Sequence, residues 1–163
     1  MTRILAIDPG SEQSAWLVLF DGQPKAQRFG IWPNAALLEW LRNGFPFGTT
    51  EGQFGAPDVV VIEKIESYGM AVGREVFDTV HWSGRFTEAA RPTPVVQLPR
   101  RAVKLAICGD TRAKDANIRQ ALLDRFGGPA AKGTKAAPGP LYGISRDVWS
   151  ALAIAVTYAE TRP

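Results

Sequence analysis

Ile4-Leu5-Ala6-Ile7-Asp8-Pro9-Gly10 decides how this chain is read. Four apolar residues form a short buried strand, and a carboxylate closes it just before a turn. Burying an unpaired charge is costly, so a buried strand has little reason to end this way unless the charge is used. The pattern recurs. Val59-Val60-Val61-Ile62 runs into Glu63, and Asp147 opens an apolar helix beginning Val148-Trp149. Each acid also has an ordinary explanation. Asp8 would initiate the turn at Pro9-Gly10, Glu63 would pair with Lys64 or Arg74, and Asp147 would favour a helix N-terminus. Three acids at the ends of three buried elements point instead to one convergent site that holds a metal or handles protons.

Composition narrows the chemistry. The 163 residues make one domain, residues 1–163, with 45% hydrophobic content. No apolar run approaches the roughly 20 residues that span a bilayer, and the N-terminus reads as a strand, so a cytoplasmic protein is expected. Cys108 is the only cysteine, which excludes an intrachain disulfide and reads as a small core residue. His81 is the only histidine, which removes zinc clusters and the usual Ser/His/Asp or Cys/His catalysis. Oxygen-only ligands suit Mg²⁺ or Mn²⁺, and two such ions serve phosphodiester cleavage. The net charge of +3 is unevenly spread. Residues 1–90 hold 7 Lys/Arg against 11 Asp/Glu, whereas residues 91–135 hold 10 against 3. A basic middle segment is the footprint of a polyanion binder.

Periodicity gives the elements. Strands are expected at 4–7, 15–20 and 26–31, the first two joined by a turn at Asp8-Pro9-Gly10-Ser11 and the last two by a hairpin turn at Asp21-Gly22. A short helix starts at Pro33-Asn34 with Asn34 as its N-cap, and residues 43–57 form a loop. The strand 59–62, apolar on both faces, should lie parallel to the first. A helix over 72–90 carries Val72, Val76, Phe77 and Val80 on one face, with Gly73 and Gly84 allowing close approach. A strand at 95–98, helices at 101–107 and 115–126, a mobile basic loop at 127–143 and a buried last helix N-capped by Ser145 complete the order. That order predicts an α/β sandwich on a mixed sheet. A right-handed crossover would set strands one and four side by side, with Asp8 and Glu63 at one edge.

Together, ILAIDPGS, VVVIEKIESYG, QLPRRAVKLAICG…AK and DVWSALAIAVTYAE resemble the RuvC family of Holliday-junction resolvases, in particular its divergent phage and prophage members. The resemblance implies an RNase H-like fold with a mixed five-stranded sheet flanked by helices. It also implies a homodimer and Mg²⁺-dependent symmetric nicking of four-way DNA junctions, leaving 5′-phosphate ends. Two ions per site are implied, with Mn²⁺ able to substitute, and neither a nucleotide cofactor nor a membrane. Asp8 matches the first catalytic aspartate, Glu63 the glutamate of the fourth strand, and Asp147 the first acidic position of the C-terminal motif. Ser150 stands where most of the family has Asp, and Glu66 is a candidate for the missing carboxylate. Lys104 and Lys114 match lysines near the scissile phosphate, able to neutralise transition-state charge. Tyr68 matches an aromatic that stacks on unpaired junction bases. Arg74, Arg100, Arg101 and Arg112 are expected on backbone phosphates, with Lys132 and Lys135 closing over the DNA from the loop. Met70, Val72, Val76 and Val80 fit either a dimer face or a core face. A non-catalytic DNA-binding module, an RNase H-like nuclease for forks, flaps or hybrids, and half of a sugar-kinase or actin-like ATPase are the competing readings.

Overall fold

The computed structural model describes residues 1–23, 25–44 and 55–163. Its sheet is built from strands whose alternate residues enter two separate cores. β1 (Arg3–Asp8), β2 (Gln13–Phe20) and β3 (Ala26–Pro33) form an antiparallel meander. β4 (Val59–Lys64) adds parallel to the free edge of β1, and β5 (Val95–Pro99) adds parallel to β4. The resulting order, β3-β2-β1-β4-β5, is a mixed five-stranded sheet. Ile4, Ala6, Leu17, Val59 and Val61 face one layer of helices, whereas Leu5, Ile7, Val18, Val60 and Ile62 face the other. The period of two fixes the parity of every later residue. By that parity Asp8 and Glu63 both lie on the Ala6/Val61 face.

That face is covered by α3 (Arg100–Cys108), α4 (Asp115–Arg125) and α5 (Val148–Thr161). α5 is apolar all round, with Ala151, Leu152 and Ala155 fully buried against β1 and β2. Arg125 locks the three helices together: its guanidinium donates to Glu160 at 2.9 Å and to the Ile107 carbonyl at 3.1 Å. Gly109 ends α3 in the left-handed region at φ 71°, which suits glycine. The opposite face carries α1 (Asn34–Arg42) and α2 (Arg74–Ala89), packed around Leu37, Leu41 and Phe86 with a mutual cluster of Trp16, Trp32 and Trp40.

Several local expectations change. Asn34 is not a cap. It is buried, accepting the Ser14 hydroxyl at 2.6 Å and donating to the Gly10 carbonyl at 2.9 Å. Pro33 takes the cap position instead. The hydrogen-bonding needs of a buried turn outweigh one helix end. The same turn excludes any side chain at Gly10, whose Cβ would sit 2.2 Å from the Gln13 carbonyl oxygen. The N-cap of α5 is Asp147 rather than Ser145, and its carboxylate makes no capping hydrogen bond. α2 begins at Arg74, two residues later than expected, and its core-facing residues are Ser83 and Phe86. The stripe bearing Phe77 and Val80 points to solvent, and nothing lies within 4 Å of a Cβ at Gly73 or Gly84. The expected mobile loop 127–143 contains a short 3₁₀ turn, Gly128–Ala131, and a bridge between Gly133 and Pro138. Ala131 and Leu141 are buried, which pins the segment at both ends. Residues 45–54 of the expected surface loop lie outside the described residues.

Candidate active site

Three elements bring three acids toward one edge. The parallel register pairs Ile7 with Ile62, so the next residues, Asp8 and Glu63, are neighbours at the carboxyl ends of β1 and β4. In open α/β sheets this is the edge where ligands sit. Asp147 begins α5 over the same edge. The groups feel one another. The Asp8 carboxyl is held well above its ordinary value, first by burial, then by the charge and hydrogen bond of Glu63 and the charge of Asp147. Arg100 pulls it weakly the other way.

Glu63 is buried, and its charge is met by the Arg100 guanidinium at 3.8 Å. Arg100 follows directly on β5, whose Leu98 pairs with Glu63 in the parallel ladder. The same guanidinium donates to Asp115 of α4 at 2.5 Å. A cleft of about 230 Å³ opens beside this group, lined by Glu63, Arg100, Asp115, Arg119, Arg146, Asp147, Trp149 and Ser150 among others. The guanidinium of Arg119 lies 5.3 Å from the Trp149 ring centre. A second cleft of about 260 Å³ adjoins it across Arg100, with Tyr68, Arg101, Lys104 and Thr111 in its walls.

Two residues near the clefts hold a conformation that non-glycine residues seldom adopt: Tyr68 at φ 52° and Arg146 at φ 50°. Tyr68 and Gly69, both at positive φ, form the tip of a tight turn closed by the Met70 amide on the Ser67 carbonyl at 3.0 Å. The turn leaves the Tyr68 ring exposed. Arg146 immediately precedes Asp147 and enters the first cleft. Such strain persists where surrounding structure enforces it, and it gathers at functional sites.

Solved structures that resemble the whole chain include two of RuvC. Thermus thermophilus RuvC is 19% identical, with a TM-score of 0.62 over 96% of this chain and 93% of that one. T. thermophilus RuvC in complex with a Holliday junction substrate is 22% identical, with a TM-score of 0.65 over 98% and 93%. The fold is RuvC-like. No protein-family model and no curated relative matches. The RuvC-like, RNase H-like architecture is the one expected, down to the mixed five-stranded sheet and the flanking helices.

On this RuvC-like frame the expected site residues divide. Asp8, Glu63 and Asp147 are brought to one edge, with Ser150 beside Asp147 in the cleft wall. Tyr68, Arg101 and Lys104 share the second cleft. Lys114, Arg112, Lys132 and Lys135 are exposed and line neither cleft; Arg112 pairs with Asp110 at 3.6 Å. Arg74 pairs with Asp78 at 3.7 Å on the far helix layer. Glu66 does not supply a missing ligand, since it is exposed and bridges to Lys64 at 3.3 Å. Arg119, Arg146 and Asp115 were not expected, although GISRD directly before the last helix held a signal for Arg146.

Among the described residues, no group of three or more His, Cys, Asp or Glu side chains is arranged to hold an ion. The chemistry nevertheless fits one. The three acids offer hard oxygen ligands only, and Asp8 and Glu63, the latter buried, stand as adjacent carboxyls whose mutual repulsion a divalent cation would relieve.

Proposed function

We propose that this protein is a metal-dependent, structure-selective endodeoxyribonuclease that resolves four-way DNA junctions as a homodimer. The observation that carries this reading is the adjacency of Asp8 and Glu63 in the β1/β4 register, with Asp147 over the same edge. The whole-chain likeness to a RuvC structure in complex with a Holliday junction substrate supports the choice of DNA.

Asp8, Glu63 and Asp147 would hold Mg²⁺, with Mn²⁺ as substitute. The ion supplies an activated water and charge neutralisation at the phosphate. Lys104, in the wall of the second cleft, adds positive charge for the transition state, and Lys114, exposed at the start of α4, does so only where the phosphate reaches beyond the clefts. Arg101 and Arg112, with Lys132 and Lys135, track backbone phosphates, and Arg74 adds a further contact if DNA crosses α2. Tyr68, raised on its turn, stacks on an unpaired base. The product carries a 5′-phosphate and a 3′-hydroxyl.

The dimer face is the outer side of α2. On α2, Phe77 is 65% exposed and Val80, one turn on, 47%; Met70, in the turn before the helix, is exposed as well. Exposed apolar side chains grouped in this way mark an interaction surface. Two copies joined there provide the two cuts that resolution needs. Phe77→Glu keeps a residue compatible with the helix and touches no core position. It is expected to convert dimer to monomer in sedimentation equilibrium, and an unchanged mass would exclude this face.

The decisive experiment is a substrate panel of four-way junction, fork, flap and RNA–DNA hybrid, assayed with Mg²⁺ and Mn²⁺ at dimer-forming concentrations. Paired nicks in the junction are expected. Junction binding without cleavage would establish a non-catalytic module, the reading that Ser150 favours. Cleavage of the other substrates alone would move the protein to a different RNase H-like activity. Junction affinity should also fall roughly a hundredfold or more between 50 and 200 mM salt, as expected for about five neutralised phosphates. A flat salt response in a gel-shift titration would refute the basic footprint.

A further inference from the structure

We propose that Arg100 is a resident cation of the carboxylate centre, and that by holding the Glu63 side it limits the centre to one divalent ion per chain. This rests on the reading of Asp8, Glu63 and Asp147 as ion ligands. The guanidinium stands 3.8 Å from Glu63, a carboxylate only 7% exposed that needs a counter-charge where it sits. It is not a swinging surface arginine. Its backbone continues from β5, laddered to β4 at Glu63, and its side chain is anchored on the far side by Asp115 at 2.5 Å. Its charge is permanent, because a guanidinium does not lose its proton in a protein. A metal approaching Glu63 therefore meets the like charge of Arg100, already paired with that carboxylate at 3.8 Å.

The rest of the cleft wall adds no free acid to hold a second ion. Ser150, one helical turn beyond Asp147, contributes a neutral hydroxyl, and Asp115 is already engaged by Arg100. Arg119 and Arg146 line the same cleft, and their positive charge adds to that of Arg100 against a second cation. Arg100 lines both clefts, so the positive charge it supplies also faces the space where a phosphate would lie.

The test is a calorimetric Mn²⁺ titration of the DNA-free protein, comparing wild type with Arg100→Ala and Asp115→Asn. Wild type is expected to take one ion per chain. Arg100→Ala should bind its first ion about tenfold more tightly and gain a second, because a like charge within 4 Å of a ligand has been removed. Asp115→Asn should bind about threefold more weakly, since Arg100 then rests on Glu63 alone. The gain of a second ion in Arg100→Ala alone is the readout that a merely structural arginine would not move. Identical one-ion isotherms in all three proteins would overturn this inference alone, as would two ions in wild type. No binding in any of them would overturn it together with the metal-dependent reading.

Discussion

Asp8→Asn is expected to slow junction cleavage by about a thousandfold or more while leaving junction binding within about twofold. The loss follows from removing one negative oxygen ligand at the centre of the cluster, where metal-assisted charge stabilisation supplies several kcal/mol of barrier reduction. Binding survives because the phosphate contacts come from elsewhere. Single-turnover cleavage alongside a gel-shift titration measures both. Unchanged nicking by the variant would remove Asp8 from the chemistry. The same substitution has a signature in stability that does not depend on DNA. In the ion-free protein, burial, Glu63 and Asp147 raise the Asp8 carboxyl above its ordinary value of 3.8. The folded state therefore holds this proton to higher pH than the unfolded chain does. Its contribution to stability is complete below about pH 4 and is lost as pH rises through the raised folded value. Asparagine never carries that charge. In chelator, then, the variant should melt close to wild type at pH 4 and above it at pH 8. A gap that stayed constant across that range would mean the Asp8 charge is not under strain.

Phe86→Ala is expected to cost about 3–5 kcal/mol of folding stability and to lower the melting temperature by roughly 10 °C. Phe86 is fully buried and sits with Leu5, Ile7, Val60 and Ile62 in the core between the sheet and the α1/α2 layer. Along α2, only Ser83 shares that depth, so one aromatic side chain carries most of the contact between this helix and the sheet. The ring of Trp82, 5.9 Å from that of Phe86, would lose its neighbour as well. Differential scanning calorimetry at fixed pH checks the value. A loss under 1 kcal/mol would mean that α2 is held by something other than its inward face.

How far the molecule could be read in advance follows from which forces are local. β1 and β4 were legible because an unbroken apolar run bounded by turn residues admits few other structures. Their pairing followed from the crossover rule, so Asp8 and Glu63 could be set side by side from sequence alone. Arg100 beside Glu63 was not legible. It depends on the β4/β5 register and on where α4 begins, and neither leaves a trace near residue 100. Asn34 was misread for a related reason. Pro-Asn before an apolar period has the form of a helix start, but Ser14 and the Gly10 carbonyl, distant in sequence, claimed the side chain. The stripe on α2 was ambiguous in kind, since period-3.6 apolar residues look the same whether they meet their own sheet or another molecule. In residues 127–143 the anchors Ala131 and Leu141 are single buried residues, too sparse to make a period.

The sheet order also sets when the centre can exist. The meander β1-β2-β3 is made of neighbouring segments and can form as soon as residues 3–33 are available. One edge of β1 then stays open until β4 arrives, more than fifty residues after Asp8. Asp147 comes later still, at the head of α5, which packs on the Ala6/Val61 face of the sheet. Long-range closures of this kind form late in folding. A nascent chain on the ribosome, or one clipped before α5, thus carries Asp8 and Glu63 without the third acid. On the proposed reading, competence to cut would be deferred until α5 has folded, so a chain lacking it would hold an incomplete centre.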